Sequence, residues 1–456
     1  MLKYLQPSFT LLGRSSMNKS SIFRTVTTLT QPSQQPVEEQ VLIQETGKTR
    51  SFTLNRPRVL NAMTIEMVET FFPCLQAWEK SEDVNMIFLK GNGRALCAGG
   101  DVKAALGFIH QKDGQFIDIL DMEYRMFHYV ATMKKPYIAL MDGITMGAGG
   151  GLSVNAPFRI ATENTQFAMP ENTIGLFPDV GASFFLSRLD GQVGTYMGMT
   201  GHVIKAHDVL YSGIATHFVP SIHLPELEAR LTELDTSDHD IINDTINAFA
   251  SEQLDHPQMK NQHFTLCGDT RRIIDRCFRY DTAEEIVDAL EKDGSAFAKA
   301  ARETILKRGP TSIKITLEHL RRGIHMGITD CMKMEYSLWQ KMAIRHDFTE
   351  GVTSQLITRQ PPQWQPSTLE QVDHKELKKV FFDTPAERSI KMIYDNDNYL
   401  VHPYRRYVLP SESDIIHVLK QHPTWQQKDL LDHFGKLQQN KFGVAEKVKD
   451  VWNRLM

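Results

Sequence analysis

An α/β layered core is the fold class this sequence predicts, and three observations carry it. Short apolar runs alternate with amphipathic helical stretches through the first half of the chain, which is the pattern of strands packed under helices. Two glycine-rich turns each leave the end of such a run, at Cys97-Ala98-Gly99-Gly100-Asp101 and at Met146-Gly147-Ala148-Gly149-Gly150-Gly151. Beyond about residue 225 the strand signals fade and helical periodicity takes over.

In chain order, Val41 to Glu45 and Thr49 to Leu54 read as a hairpin turning at Gly47. Asn55-Arg56-Pro57 breaks it, and a helix is expected from about Thr64 to Lys80, with Met67, Phe71, Leu75 and Trp78 at three-to-four spacing. Met86 to Lys90 is a short strand feeding the first glycine turn. One long helical region then runs to about Met133, and Tyr137 to Met141 is a strand feeding the second. The tail of that turn, Gly150 to Asn155, reads as helix. Phe158 to Thr162, Gln166 to Met169 and Ile214 to Val219 read as strands. Residues 225 to 350 are mostly helical, punctuated by Gly309-Pro310. Residues 360 to 366, rich in proline, cannot be regular helix. Helical periodicity returns from Ser411 to Met456. The chain thus divides into residues 1–36, a core at 37–224, a mostly helical part at 225–380 and a helical extension at 381–456.

Composition narrows the function classes. At 456 residues, 41% hydrophobic and 23% charged, the chain suits an ordinary globular enzyme. It holds no apolar run of about eighteen residues, so no membrane-spanning helix is expected. The first 36 residues carry Lys3, Arg14, Lys19 and Arg24 with dense Ser and Thr, and the first acid is Glu38. That is the make-up of a mitochondrial transit peptide, and it predicts the matrix as destination. Removing those four positive charges from a net of −4 leaves −8, a surface poorly suited to nucleic-acid backbones. Five cysteines with no C-x-x-C pairing read as reduced thiols, and no metal-ligand spacing occurs.

The chemistry concentrates between residues 97 and 181. Small residues let backbone N–H groups approach one atom, and N–H groups at a helix start have no partner within the helix. Those of Gly100 and Ala148 are placed to polarise one carbonyl. Glu171 in Met169-Pro170-Glu171 and Asp179 in Phe177-Pro178-Asp179-Val180-Gly181 then offer a base and an acid eight residues apart. Each alone would read as an acid at a helix start. Other chemistries fall away: Gly151-Leu152-Ser153-Val154-Asn155 lacks the last glycine of a serine nucleophile elbow. Gly13 to Ser20 lacks the second glycine of a P-loop, no H-E-x-x-H occurs, and His346-Asp347 reads as a surface pair.

These residues, with Gly143-Ile144-Thr145-Met146-Gly147, Gly175-Leu176-Phe177, Thr200-Gly201, Gly213-Ile214-Ala215-Thr216-His217-Phe218-Val219, Gly309-Pro310-Thr311-Ser312, Met334-Glu335-Tyr336 and His346-Asp347-Phe348-Thr349-Glu350-Gly351, resemble the crotonase superfamily, and within it the 3-hydroxyisobutyryl-CoA hydrolase branch. The resemblance covers roughly residues 40 to 380. It implies a spiral of ββα units with C-terminal helices over an acyl pocket. It also implies hydrolysis of a coenzyme A thioester in valine catabolism, with no separate cofactor because coenzyme A belongs to the substrate. The oxyanion donors fall on Gly100 and Ala148. Substrate contacts fall on Glu123, Ala148, Glu171 and Asp179, and the catalytic acids on Glu171 and Asp179. Glu171 acts as nucleophile or as general base, both remaining open. The position of the hydratases' other acid is Gly151, which favours hydrolysis over hydration. Ala148 departs from the glycine usual at the second oxyanion position.

Partners follow the same resemblance. A small-molecule acyl-CoA is expected, with no membrane and no metal. A homo-oligomer stays open, since relatives form trimers through C-terminal helices where this chain has its extension. Association with the mitochondrial ribosome's small subunit is the alternative function, because hydrolase-like members occur there, and an enoyl-CoA hydratase is the third and less favoured reading. Tyr404-Arg405-Arg406-Tyr407 is an aromatic-basic stretch able to stack on RNA or to dock on its own protein.

Overall fold

A computed structural model describes residues 39–456 except Asp113, Asn261 and His263. The expected transit peptide at 1–36 lies outside the described residues. Glu39–Met456 form one compact unit.

The hairpin forms as expected, β1 (Val41–Thr46) pairing antiparallel with β2 (Thr49–Leu54). Gly47 turns it at φ +55°, a region glycine enters without a Cβ clash. Helix α1 (Ile65–Lys80) begins at Thr64, whose side chain accepts from the Met67 N–H. Met67, Phe71, Leu75 and Trp78 lie on its buried face, and Phe52 of β2 meets Phe71 and Trp78 at ring centroids 4.1 and 4.3 Å away.

Two sheets then grow together. β3 (Met86–Gly91) continues into β4 (Ala95–Cys97), β5 (Tyr137–Met141) into β6 (Ile144–Met146), and β7 (Phe158–Ala161) into β8 (Gln166–Ala168). The first strand of each pair joins a six-stranded sheet of order β1-β2-β3-β5-β7-β10, parallel from β2 onward, with β10 at His217–Phe218. The second joins a four-stranded sheet of order β4-β6-β8-β9, with β9 at Ile204–Lys205. Each turn of the chain therefore lays one strand on each sheet before a helix returns it. The result is the ββα spiral.

Three expectations need correction. The long helical region before Met133 is two helices, α2 (Val102–Gln111) and α3 (Gln115–Thr132), because Lys112 and Gly114 both take left-handed backbone (φ +55° and +86°) that no α-helix accommodates. The helix of the second glycine turn, α4, spans Ala148–Ser153, starting two residues earlier than read. The strand expected over Ile214 to Val219 shrinks to β10, since Arg159 and Thr216 side chains occupy the bonds of the flanking backbone.

The C-terminal half is helical as expected, and Pro310 opens the helix Pro310–Gly323 at its first turn. That helix and Ile328–Ala343 pack behind the spiral. The extension ends in three helices, Glu412–Gln421, Gln427–Leu437 and Val444–Leu455, the first held by a capping box at Ser411. Tyr404-Arg405-Arg406-Tyr407 docks on its own chain: Tyr404 stacks on His239 at 4.6 Å, Tyr407 on Phe158 at 5.2 Å, and Arg406 pairs with Asp240 at 2.9 Å. No helix of the described residues is long and apolar enough to cross a membrane.

Candidate active site

The two glycine turns abut because both follow neighbouring strands of the smaller sheet. A Cβ added at Gly149 would sit 2.3 Å from the Cys97 carbonyl oxygen, so α4 rests directly on β4 only while that residue is glycine. A Cβ added at Gly147 would lie 3.3 Å from Gly99 Cα and 2.9 Å from Glu171 Oε1. First turn, second turn and first acid thus meet at one point.

Each turn presents one unused donor there. The backbone on either side of Gly100 is placed by a parallel bridge, in which Met63 donates to Gly99 O at 2.9 Å and Asp101 donates to Met63 O at 2.8 Å. Ala148 is the first residue of α4, entered from Gly147 at φ +51°. Among the described residues, the N–H of Gly100 and that of Ala148 have no acceptor.

The acids are brought to the turns by Gly175 and Gly181. Glu171 opens a single 3-10 turn, Glu171–Ile174, closed by Gly175 at φ +73° against the Asp347 carbonyl. Asn172 pins that turn, donating to Gly198 O at 2.6 Å and accepting from Thr316 Oγ1 at 2.9 Å. Asp179 follows on a segment where Val180 holds φ +53°. This is strained backbone for a β-branched residue, of the kind found where a structure must aim a neighbour.

Glu171 and Asp179 are each 7% exposed. Burial, then the charge of Asp179, holds the Glu171 pKa well above the usual carboxylate range. Among the described residues its Oε2 has no hydrogen-bond partner. Burial also raises Asp179, to about 7, although the Trp339 indole donates to its Oδ2 at 2.6 Å and opposes the rise. The Tyr124 hydroxyl favours the same charge from close by without completing a hydrogen bond. Glu123, on α3, is pushed to about 8 by burial and by Asp179. All five residues expected from the sequence therefore converge.

Sequence reasoning gave no role to two more. Glu335 is fully buried and accepts from the N–H groups of Gly181 (2.6 Å) and Ser183 (2.8 Å) and from Ser183 Oγ (2.5 Å). It ties the Asp179 segment to helix Ile328–Ala343, and burial raises it to about 8. Trp339 lies one turn further along that helix. Met334-Glu335-Tyr336 was the one sequence signal near them. Asp347, read as half of a surface pair, is buried at 1% exposure and accepts from the Gln365 N–H at 2.7 Å, while His346 stays exposed.

Two variants follow from this geometry. Trp339→Phe removes a donor that favours ionised Asp179, so the Asp179 pKa moves above about 7. The limb of the pH–rate profile set by that acid shifts to higher pH, read from kcat/KM between pH 5 and 9. Gly151→Asp tests position 151: a Cβ there lies 2.8 Å from both Phe127 Cδ1 and Val180 Cβ. With both neighbours buried in the core, the substitution lowers stability by about 1–3 kcal/mol in a denaturant titration and yields no hydratase.

Paired strands wound onto two sheets, with glycine turns meeting buried carboxyls, are the architecture of the crotonases. The chain belongs to the enoyl-CoA hydratase/isomerase family, whose model matches residues 49–381. It is 45% identical over 346 residues to the mitochondrial 3-hydroxyisobutyryl-CoA hydrolase of Gallus gallus, covering 75% of this chain and 88% of that protein. It is 39% identical over 447 residues to the small ribosomal subunit protein mS47 of Neurospora crassa, covering 92% and 87%. Among solved structures, a carnitinyl-CoA dehydratase from Mycobacterium thermoresistibile superposes with a TM-score of 0.71 at 32% identity, over 78% of this chain and 99% of that one.

Proposed function

We propose that this protein hydrolyses the thioester of 3-hydroxyisobutyryl-CoA in the mitochondrial matrix. The observation that carries this is Gly151: in a site with both oxyanion donors and Glu171 present, Phe127 and Val180 fill the space a second hydratase acid would need. The hydrolase relatives of Gallus gallus and Danio rerio are themselves named mitochondrial.

The Gly100 and Ala148 N–H groups receive the thioester oxygen as it becomes an oxyanion, a charge these free donors stabilise without reorganising. Glu171 attacks the acyl carbon or takes the proton of the attacking water, and its unpartnered Oε2 is the oxygen available for either. Its raised pKa makes it a stronger base than an exposed carboxylate. Asp179, titrating near pH 7, orients the substrate hydroxyl and relays a proton to the departing thiolate. Glu123 contacts the acyl group from α3. Water is the only second reactant. Release of free thiol from 3-hydroxyisobutyryl-CoA by the purified chain tests this reading, with crotonyl-CoA hydration measured alongside. Hydration without thiol release would sink it.

One observation favours a second reading, association with the mitochondrial ribosome's small subunit. The fungal ribosomal relative aligns over 92% of this chain, whereas the hydrolase of Gallus gallus aligns over 75%. Sedimentation of the native protein with the small subunit through a sucrose gradient is the outcome it requires. In the stretch from Tyr404 to Tyr407 the two tyrosine rings are stacked on this chain's own residues and so are not free to stack on RNA, while Arg405 and Arg406 stay exposed in ion pairs with Asp414 and Asp240.

A further inference from the structure

A cavity of about 870 Å³ lies between the spiral and the extension, walled by Phe184 and Ile214 on one side and by Leu400 and Leu409 on the other. None of Gly100, Glu123, Ala148, Glu171 or Asp179 lines it. Its volume falls within the range of small-molecule sites, about 300–1,000 Å³.

Arg159 lines this cavity and is only 4% exposed. Its Nε donates to Ile214 O at 2.6 Å, Nη1 to Ala156 O at 2.7 Å and Nη2 to Gly213 O at 3.2 Å. Among the described residues, no Asp or Glu forms an ion pair with it, and burial lowers its pKa to about 10. The other cations of the cavity are satisfied. Lys447 pairs with Asp190 at 2.6 Å, Arg405 with Asp414 at 2.7 Å, and Arg188 spends its donors on the carbonyls of Phe184, Gly323, Met326 and Leu400. A guanidinium carries five N–H donors, so Arg159 keeps one on each terminal nitrogen. Lys441 supplies no counter-charge either: it donates to Tyr407 O (2.5 Å), lies 3.1 Å from His217 Nε2, and burial with the charge of Arg159 holds its pKa well below the usual lysine value.

Asn155 supplies the second, independent observation. It lines the same cavity at 1% exposure, and among the described residues neither Oδ1 nor Nδ2 has a partner. A buried cation without a counter-charge and a buried amide without partners are both expensive. A carboxylate entering the cavity would give Arg159 its counter-charge and accept from the Asn155 Nδ2, the donor half of that amide.

We propose that this cavity binds a carboxylate with an apolar body, with Arg159 as its counter-charge and Asn155 as its second polar contact. The two free terminal N–H groups of Arg159 match the two oxygens of a carboxylate. The apolar walls select a hydrocarbon chain over a nucleotide or a free phosphate.

Octanoate, titrated calorimetrically into the full chain, is the probe. One octanoate binds per chain, and 1-octanol binds at least about tenfold more weakly, the scale of a charged hydrogen bond. Arg159→Met loses the octanoate preference. Because Arg159 also braces three carbonyls, Leu189→Trp is the companion variant: it fills the cavity from a half-buried wall position and leaves Arg159 in place. That variant melts as the parent does and fails to bind octanoate. Saturating coenzyme A leaves octanoate binding unchanged. Equal binding of octanol, full binding by Leu189→Trp, displacement by coenzyme A, or no binding at all each overturns the proposal.

Discussion

Glu171→Gln abolishes thioester hydrolysis, with kcat falling by about two to four orders of magnitude, the range for losing a positioned acid–base group. The substitution keeps the shape of the side chain and the 3-10 turn that carries it, which Asn172 and Gly175 hold independently. What it removes is an oxygen that no other group among the described residues uses. In the wild type that oxygen reaches either water or the acyl carbon, and an amide can neither attack nor accept the proton. A thiol-release assay with saturating substrate isolates kcat. Hydrolysis near the wild-type rate would mean that another group performs the chemistry.

The same variant has a second signature, in stability. Asp179, Glu123 and Glu335 have folded pKa values of about 7, 8 and 8 against ordinary values of 3.8, 4.5 and 4.5, and Glu171 is raised likewise. Between those limits the folded state binds protons that the unfolded state has released. The stability this confers is therefore complete below about pH 4 and is lost as pH climbs through 7 to 8. Removing one of the four acids relieves that loss. Glu171→Gln melts higher than the wild type at pH 8, by about 2 °C or more, and the difference fades toward pH 4. An active site built from crowded carboxyls is thereby less stable than its inactive variant.

How far these features could be read in advance depended on how locally each is encoded. The hairpin, α1 and β5 were legible because the residues that define them lie within one period of each other. β4 and β6 were not, since each is three residues set against glycine turns, and the whole stretch reads simply as turn. The convergence of Gly100, Ala148, Glu171 and Asp179 was legible through motif order. Their support was not: Glu335 and Trp339 reach Gly181 and Asp179 across 154 and 160 positions. No spacing rule connects residues that far apart. Arg159 was equally hidden, because a missing counter-charge is a property of packing and leaves no mark on the sequence.

Ala148→Pro isolates one hydrogen bond, because its backbone setting accepts the change. Ala148 is the first residue of α4, where proline is tolerated and its N–H would be unsatisfied within the helix anyway. Gly147 before it has φ +51° and ψ −120°, the mirror image of the extended conformation that precedes proline. No acceptor in the described residues loses a partner. The fold is therefore kept, with a melting temperature within about 2 °C of wild type. Hydrolysis falls by about two to three orders of magnitude, the effect of deleting one oxyanion donor. Ala148→Val provides the comparison, since it adds bulk at the same atom while retaining the N–H. If crowding by the side chain were what limits this site, valine and proline would be equally damaging. If the N–H carries the reaction, valine retains most of the activity that proline removes. The methyl group at position 148 is then tolerated because the site uses the backbone beneath it.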